Sequence, residues 1–216
     1  KECEKCGIIF FTSPYDFQSI DHVDPFVDMY KVGSGDITWL EIIEYLTSKN
    51  KPILIATGAS SMSDVKRAMD VVLSFTDNIV LMQCNTNYTG NEDNFNYCNL
   101  NVLKTYKSEF PNLVLGLSDH TEGYLTTVTA IALGARVIEK HFTDNNSNEG
   151  PDHAFAMTPS SWREMVDRSY QTLNSLGDGV KKIEKNEELS SIVQRRCLRS
   201  NRELKKGQIL KEEDIA

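Results

Sequence analysis

Short runs of apolar, β-branched and aromatic residues recur along this chain, separated by segments whose apolar positions repeat at helical spacing. Six runs read as buried parallel strands: Ile8 to Phe11, Tyr30 to Val32, Ile53 to Ala56, Ile79 to Gln83, Leu113 to Leu117 and Arg136 to Phe142. Between them, Ile37 to Thr47 sets Leu40, Ile42, Ile43 and Leu46 on one helical face, and Ser63 to Leu73 does the same with Val65, Met69 and Val72. Tyr124 to Leu133 reads as a small-residue apolar helix, and Ser160 to Leu176 as a longer one.

Strand and helix alternate, which predicts right-handed parallel βαβ units. Such units either close into a barrel or stay open as a doubly wound sheet. No glycine-rich dinucleotide fingerprint follows the first strand, and polar residues gather after nearly every strand, as they do where loops ring one face of a barrel. The expectation is therefore an α/β fold of the (β/α)8 TIM type. Six strands of eight are present, and the chain starts in what reads as a helix tail capped by Gly7, so the pattern predicts an N-terminally truncated barrel over residues 1–176. Residues 177–195, polar and charged at least to Glu188, read as a linker. Residues 196–216 read as a turn and hairpin that open a second, incomplete domain.

Composition narrows the class. With 40% apolar residues in 216, the chain has enough material for a sizeable core, and no apolar run reaches the roughly 18 to 20 residues of a spanning helix. A cytoplasmic location is the default expectation, with no membrane partner. A formal charge of −8 disfavours a nucleic acid partner. Five scattered cysteines point to a reducing compartment more than to a disulfide framework, and Cys3 and Cys6 lack the second pair that a zinc site needs.

The candidate chemistry centres on His120, after Gly116-Leu117-Ser118-Asp119, and His141, after Val137-Ile138-Glu139-Lys140. Each stands where a strand hands over to its loop, and neighbouring strands make them neighbours in space. Two neutral imidazoles converging on one point suit Mn²⁺, Zn²⁺ or Fe²⁺ with open positions for water or substrate. Asp119 reads either as a group orienting a ligand or as a loop cap. Lys31, inside the apolar Tyr30-Lys31-Val32, needs an anion to pair with, and Gly33-Ser34-Gly35-Asp36 follows with amides and a hydroxyl for phosphate or carboxylate. Thr12-Ser13 and Thr57-Gly58 occupy equivalent strand ends and read as further donors or as helix caps. Asp152, in the long polar loop from Thr143 to Met157, reads as a holder of substrate hydroxyls or as a solvated turn residue.

Taken in order, Phe11-Thr12-Ser13-Pro14, Tyr30 to Asp36, Ala56-Thr57-Gly58-Ala59, Gln83 to Tyr88, Gly116 to Thr121, Glu139 to Thr143 and Gly150-Pro151-Asp152-His153 resemble the N-acetylneuraminate (sialic acid) synthase family. The tail from Arg196 to Ile215 resembles the start of that family's SAF, or antifreeze-like, domain. The resemblance implies condensation of phosphoenolpyruvate with an open-chain N-acyl hexosamine, N-acetylmannosamine or 2,4-diacetamido-2,4,6-trideoxymannose, to give a nonulosonic acid and phosphate. It implies that His120 and His141 bind a divalent metal, Mn²⁺ first with Mg²⁺ or Co²⁺ as alternatives, which activates the sugar aldehyde. It places Lys31, Ser34, Ser118, Ser13 and Thr57 at phosphoenolpyruvate. Asp36, Tyr88 and Asp152 would face the sugar, Asp36 also counting as catalytic. It further implies a homodimer with exchanged SAF domains.

The chain departs from the family pattern at Asp36, commonly glutamate, and Thr86, commonly Asn or Ser. The shorter carboxylate favours a legionaminic-type sugar. Two other readings stay open: a metal-dependent barrel aldolase or isomerase that uses the histidines without phosphoenolpyruvate, and a non-catalytic, truncated sugar- or anion-binding remnant.

Overall fold

In the computed structural model, which describes residues 1–216, five parallel strands pair in the order in which they occur in the sequence: β1 (Tyr30–Val32), β2 (Ile53–Ala56), β3 (Ile79–Cys84), β4 (Val114–Asp119) and β5 (Val137–Lys140). A doubly wound sheet reverses its strand order at a switch point, and this one never does. Right-handed crossovers in unbroken order put every helix on the same face, so the sheet curls into part of a TIM-type barrel.

Strand alternation sorts the side chains. Tyr30, Val32, Ile53, Ile55, Ile79, Leu81, Leu115 and Leu117 join one core with residues of α3 (Leu40–Thr47), α4 (Met62–Leu73) and α5 (Val102–Glu109). The intervening residues, Lys31, Leu54, Val80, Met82, Cys84, Gly116, Ser118 and Glu139, face the concave side. Gly116 has to be glycine there: a Cβ would stand 2.9 Å from Met82 Cγ and 2.9 Å from the Val137 carbonyl oxygen.

Local chemistry explains the element ends. Ser61 and Asp64 form a reciprocal capping box at the start of α4. Asp16 caps α2 (Phe17–Val23) by accepting from the Ser19 amide at 2.7 Å, a signal present in the sequence that the apolar pattern alone does not reveal. The short helix α1 (Glu2–Lys5) ends as expected at Gly7, whose φ of 66° lies in the left-handed region. The helices read at Tyr124 and Ser160 appear as α6 (Leu125–Ala132) and α7 (Pro159–Leu176).

The run Ile8 to Phe11 does not form the expected strand. Thr12 alone bridges Tyr30, while Ile8, Ile9 and Phe10 are each more than half exposed. Composition gives this run strand propensity, but pairing begins only where Thr12 reaches the first residue of β1. Five strands and one bridge therefore stand where six strands are expected.

Residues fall into two compact units, Lys1–Leu176 and Gly177–Ala216. Within the second, the stretch 177–195 is more ordered than a linker: it holds a 3-10 turn, Lys185–Glu187, and helix α8 (Glu188–Val193). Arg199 and Ala216 exchange backbone hydrogen bonds at 3.0 and 2.8 Å around the antiparallel bridge Ser200 to Ile215, so the tail closes on itself as a hairpin would. No helix is long and apolar enough to cross a membrane.

Candidate active site

His120 directly follows β4 and His141 directly follows β5, and their ring centroids lie 5.1 Å apart. Each imidazole has one nitrogen beside an oxygen. His120 Nδ1 sits 2.8 Å from the Asn85 carbonyl oxygen, and His141 Nδ1 sits 3.2 Å from Asp152 Oδ2. The Asn85 carbonyl can only accept, so His120 Nδ1 carries the proton and its Nε2 keeps its lone pair, whereas the Asp152 carboxylate lies beside His141 Nδ1 at an angle that does not make a hydrogen bond. Burial pulls the His120 pKa below its ordinary value, outweighing the Asn85 carbonyl that raises it, and His141 nearby lowers it further. Burial thus favours the neutral form of His120.

The loop after β5 is fastened for this purpose. The Met157 amide donates to the His141 carbonyl at 2.8 Å and the Thr143 amide donates to the Met157 carbonyl at 2.9 Å, folding residues 143–157 back over the strand end. That fold delivers Asp152 to His141 and Phe155 beside it, with the Phe155 ring 5.3 Å from His141 and itself buried. Tyr88 lies 4.2 Å from His120 and 5.7 Å from His141, ring to ring. Gly90 permits the approach of the two loops, since a Cβ there would meet Phe155 at 2.9 Å.

Across the mouth, Lys31 Nζ stands 3.3 Å from Glu139 Oε2. The angle does not suit a hydrogen bond, and this buried oxygen has none. Lys31 therefore has a counter-charge yet keeps its protons free. Ser34 Oγ accepts from the Gly58 amide at 2.9 Å. Gly58 makes that contact possible: a Cβ would lie 2.8 Å from Ser34 Oγ and 2.4 Å from Thr86 Cγ2. The Cys84 thiol lies between Ser34 and Ser118, whose hydroxyls lower its pKa, while burial, the larger influence, raises it.

The structure thus gathers Lys31, Ser34, Ser118, His120, His141, Tyr88 and Asp152, all expected from sequence. Asp152 meets a histidine, where the expectation set it at the sugar. Thr57 is a correction. Its hydroxyl donates to the Met82 carbonyl at 2.9 Å and accepts from Tyr106 at 2.9 Å, so it ties β2 to β3 and α5 and is spent within the fold. Asp36, in the 3-10 turn Ser34–Asp36, turns its carboxylate back over Gly33 and joins no imidazole. Ser13 follows Thr12, whose carbonyl accepts from the Lys31 amide at 3.1 Å, so it lies beside β1, with no side-chain partner. Cys84, Glu139 and Phe155 also line the site, and the motifs alone assign them no role. The period-two placement of Cys84 and Glu139 opposite the core residues was the available signal.

The residues present suit a divalent metal. Metal–nitrogen bonds of about 2.1 Å to two adjacent imidazoles put the ring centroids roughly 5 Å apart, the spacing found here. No group of three or more His, Cys, Asp or Glu side chains forms a ligand set, so remaining positions would fall to water or substrate oxygens.

A family model, the NeuB family, matches residues 1–181. An N,N'-diacetyllegionaminic acid synthase of Campylobacter jejuni is 33% identical over 98% of this chain and 64% of its own length. Its Legionella pneumophila counterpart is 36% identical over 97% of this chain and 59% of its own. The chain thus spans about three fifths of the curated relatives it matches. The crystal structure of an N-acetylneuraminic acid synthetase from Leptospira borgpetersenii, in complex with citrate, superposes with a TM-score of 0.80 at 25% identity, covering 89% of this chain and 68% of that one.

Proposed function

This chain belongs to the NeuB family, and on that premise we propose that its strand ends serve the synthesis of a nonulosonic acid from phosphoenolpyruvate and an open-chain N-acyl hexosamine. The observation that carries the reading is the pair of imidazoles at adjacent strand ends, their ring centroids 5.1 Å apart, with His120 Nδ1 held by the Asn85 carbonyl, its Nε2 lone pair free, and the Asp152 carboxylate beside His141 Nδ1. His120 and His141 would hold a divalent metal, Mn²⁺ first, with Mg²⁺ or Co²⁺ as alternatives. When bound, that ion supplies Lewis-acid polarisation of the sugar aldehyde.

The remaining roles fall to groups already in place. Lys31, Ser34 and Ser118 hold phosphoenolpyruvate while its enol carbon attacks the aldehyde carbon, water adds to the resulting oxocarbenium, and phosphate leaves. Holding the two reactants in register and offsetting the anion's charge are what such a cluster contributes to rate. Tyr88 and Phe155 wall the site on the side of the histidines, and Asp152 orients His141. Asp36 is assigned to the sugar. Its short carboxylate, together with the two relatives named for diacetyllegionaminic acid, favours 2,4-diacetamido-2,4,6-trideoxymannose over N-acetylmannosamine. We extend the proposal to an SAF-type domain, which the hairpin-like tail would open, and to a homodimer in which such domains are exchanged.

The test is phosphate release by the full-length protein with phosphoenolpyruvate, Mn²⁺ and a panel of acylated hexosamines. One phosphate released per nonulosonic acid formed is the expected result. Sugar cleavage or isomerisation with no phosphate released would replace this reading with the aldolase one.

A further inference from the structure

One step before each histidine lies a residue of the most deeply buried ion pair in the first unit. Lys140 Nζ is 2.6 Å from Asp119 Oδ2, with the two side chains 1% and 3% exposed. The ammonium also donates to the Thr121 carbonyl at 2.6 Å. Asp119 in turn accepts from the Thr121 amide at 3.1 Å, from the Thr121 hydroxyl at 3.0 Å, and from the Thr126 hydroxyl at 2.5 Å. The end of β4, the end of β5, the loop after β4 and the first turn of α6 meet in this one knot.

Asp119 and Lys140 are direct register partners. Alternation turns them toward the helix layer, as it does Leu117 and Ile138 two residues earlier, and turns His120 and His141 to the concave side. A buried ion pair is an ineffective way to stabilise such a layer, because desolvation consumes most of the attraction and apolar residues of similar volume serve as well or better. What an ion pair with directional hydrogen bonds adds is a fixed register, and the register here sets where two neighbouring imidazoles begin.

We infer that Asp119 and Lys140 are positioning residues that hold His120 and His141 at the spacing a shared metal requires. The inference rests on the metal reading proposed above. Thr121 and Thr126 belong to the same device, since they satisfy the oxygens of Asp119 that Lys140 does not.

The test compares Mn²⁺ affinity, by titration with electron paramagnetic resonance of the free ion, with thermal unfolding in the full-length protein. The variant D119N/K140M removes both charges while keeping volume. It should unfold cooperatively yet bind Mn²⁺ at least about tenfold more weakly than the parent, the lower end of what loss of orienting groups around metal ligands costs. A merely structural pair would lower the melting temperature and leave Mn²⁺ affinity alone, and that result overturns the inference. If this variant does not fold, Thr126→Val removes one donor to Asp119 without unpairing the charges and should also weaken Mn²⁺ binding; unchanged affinity there overturns it equally. A parent protein that binds no Mn²⁺ would instead remove the metal reading itself, and this inference with it.

Discussion

Asp152 Oδ2 lies 3.2 Å from His141 Nδ1, so a residue in the polar loop after the last strand sets its carboxylate beside a histidine at the strand's end. A carboxylate beside Nδ1 favours the tautomer that leaves Nε2 to a ligand. Replacing Asp152 by Ala should lower kcat/KM by roughly 10- to 100-fold with the fold intact. Steady-state kinetics at saturating Mn²⁺ check this; an unchanged kcat/KM would show that the contact does not orient the ring.

Removing a histidine outright should do more. His141→Ala should abolish metal-dependent turnover, because its Nε2 has no substitute among nearby side chains, while its partial exposure keeps the cost to folding small. Chelation of the parent protein should reproduce the loss, and added Mn²⁺ should restore activity to the parent alone. Full activity of the metal-stripped variant would exclude the histidines as ligands.

Lys31→Met keeps the stem of the side chain on its strand and removes the ammonium beside Glu139. The apparent KM for phosphoenolpyruvate should rise by an order of magnitude or more, about the loss of one charge-assisted hydrogen bond. That for the sugar should move little. Equal rises for both substrates would mean that Lys31 supports the site as a whole.

Gly116→Ala forces a methyl group into a space bounded by Met82 Cγ and the Val137 carbonyl, each 2.9 Å from the new atom. Backbone cannot move aside without parting β4 from β5. We expect destabilisation of about 1 to 3 kcal/mol, read as a lower urea midpoint, together with loss of the hydrogen-bonded register that ends in the two histidines.

Acid should act on the core through Asp24. The Lys51 ammonium, first, and the Tyr30 hydroxyl, second, hold its carboxyl below the ordinary value of 3.8. A depressed folded-state pKa contributes stability that is present above the unfolded value near 4 and is lost as pH falls through the folded one. Asp24→Asn should therefore flatten the loss of stability below about pH 4, measured by thermal melts across pH; an unaltered profile would assign that loss to other groups.

The strands β1 to β5, the helices α3, α4 and α6 between them and both histidines were legible in the sequence because they rest on local signals, whereas α5 was not read from it. Period-two and period-3.6 patterns report which face a residue turns to the core, and a polar residue at a strand's end marks the loop face of a barrel. The same local signal misled at Ile8 to Phe11, where strand composition met no partner beyond Thr12. It misled also at Thr57, whose hydroxyl is drawn into the fold by Tyr106, a residue 49 positions away.

By itself, then, the amino-acid sequence determined the alternation of elements, the concave placement of Lys31, Ser118, His120 and His141, and the resemblance through which family membership was expected. Tertiary structure alone decided who partners whom. It set the Asn85 carbonyl as acceptor for His120, the Asp152 carboxylate beside His141, Glu139 as the counter-charge of Lys31, and Lys140 with Asp119 as the knot beneath both histidines. The physical reason is one of range: facing direction follows from the backbone dihedrals of a few successive residues, whereas a hydrogen bond or ion pair requires two side chains from distant elements to arrive within about 3 Å of each other.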